Sequence, residues 1–242
     1  MAVAQAANEA KDGKRRSLRP RDAATLIVLD RSASPPRVLM GKRHAGHAFM
    51  PGKFVFPGGR VEPADGRMAA VADLHPEVEE KLNARVRRPS PKFARAIALA
   101  AVRETFEETG LVIGLAGSAP PKKPPPGAWA RFAATGVSPA LDGLDFIARA
   151  ITPPGRPRRF DARFLSVDAG LIAERVDGVV HPEAELVDLV WVPLDKAREL
   201  DLPQITRLAL DDLSEALAHG FEKTRPRPFY RELRGKRLRE AL

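Results

Sequence analysis

Residues 90 to 110 carry the start and stop signals of one long helix. Ser90 suits the N-cap, Pro91 suits the first helical position, and Gly110 suits the position just past the last turn. The apolar residues between these signals share one face: Phe93, Ile97 and Ala100 or Ala101. Because most of these side chains are small, the helix can pack closely on a sheet. The chain must therefore provide strands for this helix to cover.

Strand patterns lie on both sides of this helix along the chain. They are short apolar or alternating runs next to turn residues, and they fall at residues 23–29, 37–43, 53–56, 111–113, 145–152, 160–167 and 186–192. The second run is predicted to form a hairpin with the first, and the sixth with the fifth. The third run leads into the turn Pro57-Gly58-Gly59.

Further helices are predicted between these strands. They fall at residues 66–88, where Leu74, Val78, Leu82 and Val86 recur at spacings of four, at 194–200, and at 203–219 before Gly220. Residues 117–127 contain five prolines and are predicted to form a surface loop. Strands that alternate with helices predict an α/β layered domain.

The composition excludes several classes of function. The 242 residues include no cysteine, which excludes disulfides, cysteine nucleophiles and cysteine-bound zinc. The longest clean apolar run is Ala96 to Val102, far short of the ~20 residues that cross a bilayer. We therefore expect no membrane partner and a cytoplasmic location.

The basic charge is concentrated at the two ends. Residues 1–22 and 222–242 hold +8 of the formal charge of +9, so the middle of the chain is nearly neutral. This predicts a basic N-terminal tail at 1–21, a central domain at 22–225 and a basic C-terminal segment at 226–242. Few aromatic residues accompany these ends, and nucleic-acid binding is not expected. Phe229, Tyr230 and Leu233 allow the C-terminal segment to pack back on the domain instead of remaining solvated.

Three glutamates share one side of the long helix. Glu104, Glu107 and Glu108 stand at i, i+3 and i+4, within an arc of about 100°. They repel one another, and the helix dipole disfavours them late in the helix. Arg103 can pair with Glu107, but one guanidinium does not neutralise three acids. A solvated acidic face is one interpretation, whereas a nearby Gly-Gly turn and an apolar opposite face favour a site for Mg²⁺ or Mn²⁺.

The residues around these acids resemble the Nudix box, G-x5-E-x7-R-E-U-x-E-E-x-G-U, where U is apolar. Residues 103–111 match its second half, with Thr105 at the first apolar position. Gly59 and Asp65 match the first half, with Asp in place of Glu. Thirty extra residues separate the halves, and they include the helix predicted at 66–88. This split box, the run 49–59, and Thr152-Pro153 with residues 159–164 resemble the Nudix branch that contains the peroxisomal acyl-CoA diphosphatase.

The resemblance implies a Nudix fold, an α/β/α sandwich around a mixed β-sheet, with a helical insertion at about residues 66–90. It also implies metal-dependent hydrolysis of a diphosphate linkage. Glu104, Glu107 and Glu108 would hold Mg²⁺ or Mn²⁺, and Arg103 would orient these glutamates. Gly58 and Gly59 would form a tight turn beside the metal.

The sequence leaves the roles of several other candidate site residues open. The general base is either a glutamate of the box or Glu185, just before the strand at 186–192, which is otherwise an exposed acid. Arg43 and Lys53 either contact phosphate or lie at solvated strand ends. Asp65 has either a box role or a role in a turn or helix cap.

Three functions are compatible with these residues. The first is hydrolysis of coenzyme A or acyl-CoA, a small-molecule nucleoside diphosphate partner. The second keeps the chemistry but acts on ADP-ribose, NADH or another nucleoside diphosphate derivative. The third is a catalytically silent module that binds nucleotide or nucleic acid. A homodimer through the insertion or the 145–167 hairpin is also possible.

Overall fold

The computed structural model describes residues 18–46, 50–117 and 123–242. Phe49, in the run at 49–59, and residues 1–17 of the N-terminal tail lie outside these ranges. The described helices are α1 (Pro76–Asn83), α2 (Pro91–Thr109), α3 (Ala128–Ala134) and α4 (Gln204–Ala218). Short 3-10 turns cover Asp65–Arg67, Ala169–Leu171 and Ala197–Glu199. No helix in the described ranges is long and apolar enough to cross a membrane.

The described ranges contain the seven predicted strands and six further ones that the sequence did not predict. They are β1 (Arg21–Asp30), β2 (Arg37–Arg43), β3 (Phe54–Val55), β4 (Gly58–Arg60), β5 (Leu111–Ile113), β6 (Leu115–Ala116), β7 (Val137–Ser138), β8 (Asp145–Ile151), β9 (Phe160–Asp168), β10 (Ile172–Arg175), β11 (Leu186–Pro193), β12 (Pro228–Leu233) and β13 (Lys236–Ala241). The six strands that the sequence did not predict are β4, β6, β7, β10, β12 and β13.

One mixed sheet organises the described chain, in the order β11-β2-β1-β9-β8-β12-β13. The predicted hairpins β1–β2 and β8–β9 are both present and antiparallel. β9 runs parallel to β1, with Thr25 opposite Phe164, and β12 runs parallel to β8. β3 pairs with β2, and β4 with β1, so Gly58 and Gly59 lie beside β1 in the middle of the sheet.

Apolar side chains of the sheet pack into two separate hydrophobic cores, one on each face. In β1, Leu26 and Val28 belong to the core shared with α2, whereas Ile27 and Leu29 belong to the core shared with α4. This alternation follows from the two-residue period of a strand. The sheet is therefore covered by helices on both faces, which confirms the predicted α/β/α sandwich.

Two predicted helices differ from the structure. α1 has only eight residues, and Val86 lies beyond its end because the chain leaves the helix at Ala84 with an extended backbone. The helix predicted at 194–200 is a short 3-10 turn over Ala197–Glu199. In both places the apolar spacing arises because several of these residues pack into the core. A segment can bury such residues without being helical along its whole length.

The C-terminal segment extends the main sheet. β12 and β13 form an antiparallel hairpin in which Phe229 is buried and Tyr230 is partly buried, whereas Leu233 is exposed. The basic residues of this segment lie on and around two edge strands.

Candidate active site

The long helix starts and ends where its boundary residues predict. The Ser90 hydroxyl accepts the backbone N–H of Phe93 at 3.1 Å, and Gly110 closes α2 in the left-handed conformation with φ of 75°. Thr105, which departs from the box pattern, is fully buried, and its hydroxyl donates to the Ala101 carbonyl at 2.8 Å. The helix itself thus satisfies this polar side chain, so the departure costs little.

The tight turn predicted at Gly58 and Gly59 is wrong, because both residues lie in the extended strand β4 and neither has a positive φ. Their missing side chains instead bring this strand close to two of the three box glutamates. The backbone N–H of Gly58 donates to Glu108 Oε2 at 3.1 Å. At Gly59, an added Cβ would lie 2.6 Å from Glu104 Oε2 and would overlap that carboxyl group. The lack of side chains at Gly58 and Gly59 therefore lets both carboxylates approach β4 closely.

The two glycines predict different effects when each is replaced by alanine. In Gly58→Ala, the new methyl group meets β1 backbone, 2.6 Å from the Ala24 carbonyl oxygen and 2.7 Å from Thr25 Cα. In Gly59→Ala, it meets only the movable end of Glu104. We expect Gly58→Ala to lower the free energy of unfolding by about 1–3 kcal/mol. Gly59→Ala should keep most of the stability but lower diphosphate hydrolysis by roughly 10- to 100-fold.

Urea unfolding and steady-state kinetics on both variants test this contrast. Gly66→Ala is the matched control, because an added Cβ there meets nothing nearer than 3.8 Å. Equal losses of stability in the Gly58 and Gly59 variants would contradict the different surroundings of the two added methyl groups.

Arg103 joins the two halves of the split box. Its Nε and Nη2 donate to the two Asp65 oxygens at 2.7 and 3.1 Å, and Asp65 is 0% exposed. Its Nη1 donates to Glu104 Oε1 at 2.9 Å and to Glu107 Oε2 at 2.8 Å. The insertion therefore does not displace Asp65, which anchors the arginine that holds the glutamates. The sequence signal for this role was the match of Asp65 to the box.

Burial and like charge raise the pKa of two glutamates. Burial raises the pKa of Glu104 to about 7, although the charge of Arg103 opposes the shift. Burial, followed by the charges of Glu185 and Glu104, raises the pKa of Glu108 well above its usual value, against the opposing charge of Arg43. For both carboxylates, the effect of burial on the pKa therefore outweighs that of the nearby arginines.

Glu107 has a different environment from Glu104 and Glu108. It accepts from Arg103, and Arg131 Nη2 on α3 approaches its other oxygen, Oε1, at 3.3 Å. Its side chain is 33% exposed. Arg131 was not singled out from the sequence, because its spacing to the box carries no pattern.

The other predicted site residues separate in space. Arg43 is buried and its Nη1 lies 3.0 Å from Glu185 Oε1, and the charges of both residues act on Glu108. The structure therefore brings Glu185 and Arg43 to the glutamate cluster. Lys53 instead donates to Asp201 Oδ1 at 2.6 Å.

The carboxylates of the cluster have the chemistry that a divalent cation requires. In the described residues, no three acidic or histidine side chains already form a metal-binding group. Glu104 and Glu108 nevertheless fit such an ion, since both are hard oxygen donors whose pKa is raised by burial, and Gly59 leaves room for the Glu104 carboxylate. The chemistry of the donors therefore suits Mg²⁺ or Mn²⁺.

The chain is similar in structure to known proteins. No protein-family model matches the chain, and no curated protein matches it. Among solved structures, it resembles a NUDIX hydrolase from Alicyclobacillus acidocaldarius with 29% identity over 83% of this chain and 96% of that chain, at a TM-score of 0.61. The chain thus has the fold of Nudix hydrolases. The same likeness supports an enzyme of the Nudix pyrophosphohydrolase class.

Two other similar structures are more distant. The NUDIX domain of Shewanella oneidensis NrtR, solved with ADP ribose, has 12% identity over 90% of this chain and 99% of that chain, at a TM-score of 0.44. A C. elegans Ap4A hydrolase has 14% identity over 82% and 99%, at a TM-score of 0.42. At such scores they carry no weight for the substrate of this chain.

Proposed function

We propose that this protein hydrolyses the diphosphate linkage of a nucleoside diphosphate derivative, with coenzyme A or acyl-CoA as the first candidate. The observation that carries the reaction class is a pair of carboxylates, the partly buried Glu104 and the buried Glu108, placed against the two glycines of β4. The candidate substrate rests on the sequence resemblance of the split box and of residues 49–59 and 159–164.

In the proposed site, Glu104, Glu107 and Glu108 would hold Mg²⁺ or Mn²⁺. When bound, the metal would neutralise the negative charge of the phosphoryl oxygens and lower the pKa of a water molecule bound to it. Arg103 keeps Glu104 and Glu107 oriented through its bonds to both. Glu108 is oriented from the other side by the Gly58 N–H. These bonds hold three flexible side chains in place before substrate arrives, which lowers the cost of organising them.

The general base remains a choice between two groups. Glu185 lies near Glu108, as the influence of its charge on the Glu108 pKa indicates, and Arg43 fixes its side chain. This position suits a carboxylate that accepts a proton from the attacking water. We favour Glu185 and keep a box glutamate as the alternative. Arg43 and Lys53 are proposed to contact substrate phosphate, for which Lys53 must exchange its contact with Asp201.

The proposed function is tested with purified protein and a substrate panel. CoA, acyl-CoA, ADP-ribose, NADH and diadenosine polyphosphates are each incubated with Mg²⁺ or Mn²⁺, and products are separated by chromatography. Preferred turnover of CoA or acyl-CoA, lost when EDTA is added, supports the proposal. Preferred turnover of another substrate keeps the chemistry and overturns the CoA assignment. No turnover of any diphosphate overturns the enzymatic function and favours a silent binding module.

Three further parts of the proposal concern organisation. We propose a cytoplasmic protein, a central domain at residues 22–225 with an insertion at about 66–90, and a possible homodimer that uses the insertion or the β8–β9 hairpin. Size-exclusion chromatography with light scattering measures the oligomeric state directly.

A further inference from the structure

Trp129 on α3 contacts the acidic network without belonging to the box. The tryptophan is fully buried, and its indole Nε1–H donates to Asp65 Oδ1 at 2.9 Å. The two residues are 64 positions apart in the sequence. A buried indole N–H needs an acceptor, and a carboxylate is a strong one.

Asp65 is thereby held by donors from three parts of the chain. Oδ1 accepts from Trp129 and from Arg103 Nε, whereas Oδ2 accepts from Arg103 Nη2 and, at 2.7 Å, from the backbone N–H of Glu62. The indole bond is the only one of these in the described chain that α3 provides. The position of the carboxylate, and with it that of the guanidinium, therefore depends on α3.

The same short helix reaches the glutamates by a second route. Arg131, two residues after Trp129, lies 3.3 Å from Glu107 Oε1. Phe132 packs edge-on against Phe106 of α2 and against Trp129, with ring centroids 5.4 Å apart in both pairs. α3 is thus fixed to α2 by aromatic packing and directs two polar contacts at the acid cluster.

We propose that Trp129 is a positioning residue for the active site, acting through Asp65 and Arg103 on Glu104 and Glu107. This inference rests on the proposed function for its kinetic readout, but not for its metal-binding readout. Loss of the indole N–H leaves Asp65 Oδ1 with one donor fewer. The guanidinium is then held less firmly, and so are the two carboxylates that it binds. Outer hydrogen bonds of this kind typically change metal affinity or activity by about 10- to 100-fold.

The test compares two aromatic substitutions on α3. Trp129→Phe removes the N–H donor and some packing volume, whereas Phe132→Leu removes packing from the same aromatic cluster and no hydrogen bond. Mn²⁺ binding is measured by electron paramagnetic resonance of the free ion. The kcat and KM values are measured with Mg²⁺ on the best substrate of the panel, and thermal melting reports stability.

We expect Trp129→Phe to weaken Mn²⁺ binding and to lower kcat, each by about tenfold, with KM changed less than about twofold. Phe132→Leu should change Mn²⁺ affinity by less than about threefold, even if it lowers the melting temperature by as much as Trp129→Phe does. In an Asp65→Asn background, Trp129→Phe should add little further loss, because both changes break one chain of contacts.

Three outcomes would overturn the inference: unchanged Mn²⁺ affinity in Trp129→Phe, equal losses in Phe132→Leu, or fully additive losses in the double variant. If Asp65→Asn does not fold, the comparison of Trp129→Phe with Phe132→Leu tests the inference by itself. If wild-type protein hydrolyses no diphosphate, the proposed function fails, and the Mn²⁺ measurements still decide the role of Trp129.

Discussion

Glu108→Gln should lower kcat for diphosphate hydrolysis by about 10³-fold, the largest effect that we expect from a single conservative change. Glu108 is 7% exposed, accepts the Gly58 N–H and lies near Glu104 and Glu185. The amide keeps the size of the side chain and can still accept that N–H, but it loses the charge that a divalent cation requires. Steady-state kinetics with Mg²⁺, together with Mn²⁺ binding, measures the loss.

The same substitution should stabilise the metal-free protein at high pH. The pKa of Glu108 is raised above its usual 4.5 in the folded state, so folding binds protons, and stability falls as the pH rises above 4.5 towards the folded pKa. Glutamine has no such cost. In EDTA, the melting temperatures of wild type and Glu108→Gln should coincide near pH 4.5 and separate progressively towards pH 8, with the variant higher.

Glu199→Gln is the matched control for both measurements, since the Glu199 side chain is 68% exposed and its one ion pair within the described chain is with Lys196. It should leave kcat and the pH dependence of melting unchanged. A Glu108→Gln enzyme with nearly full activity would exclude Glu108 as a metal ligand. A Glu108→Gln variant less stable than wild type at pH 8 would contradict the raised pKa of Glu108 in the folded protein.

Arg103→Gln should lower the free energy of unfolding by about 3–5 kcal/mol and abolish hydrolysis. The arginine side chain is 5% exposed and its partner Asp65 is fully buried, so the variant leaves a buried carboxylate without its counter-charge. Glu104 and Glu107 lose their common donor in the same step. Urea unfolding of the metal-free protein at pH 7 measures the stability, and kinetics with Mg²⁺ measures the activity.

Arg31→Gln provides the comparison at the surface. Arg31 pairs with Asp168, but its side chain is 51% exposed, and water replaces such a pair at little cost. Its loss should change the free energy of unfolding by less than about 1 kcal/mol. If Arg103→Gln were no more destabilising than Arg31→Gln, the buried network would not be a main support of the fold.

Several parts of the fold follow from local sequence patterns. The boundaries of α2 were predictable because Ser90 and Gly110 satisfy the helix ends through hydrogen bonds and backbone geometry that involve only neighbouring residues. The β1–β2 and β8–β9 hairpins were predictable for a similar reason, since each joins adjacent runs across a short turn. α1 was predicted too long because its apolar spacing continues past the last helical turn.

In the candidate site, too, features set by neighbouring residues were predictable, whereas contacts between distant residues were not. The spacing of Glu104, Glu107 and Glu108 predicted a shared face, and the match of residues 103–111 to the box predicted the Nudix fold. The thirty-residue insertion left the role of Asp65 open, because sequence separation does not reveal whether two segments meet in space. Trp129 and Arg131 carry no motif at all, so only the packing of α3 on α2 shows their contacts.

The sequence by itself determined a capped helix with three glutamates on one side, and the apolar strand β1 with its hairpin partner β2. Each of these depends on residues within a few positions of one another, where propensity, capping and periodicity act. The tertiary structure alone decided that Asp65 reaches Arg103, that Trp129 reaches Asp65, and that the C-terminal hairpin extends the main sheet. These contacts join residues far apart in the chain, and they form only when burial of the two cores brings their elements together.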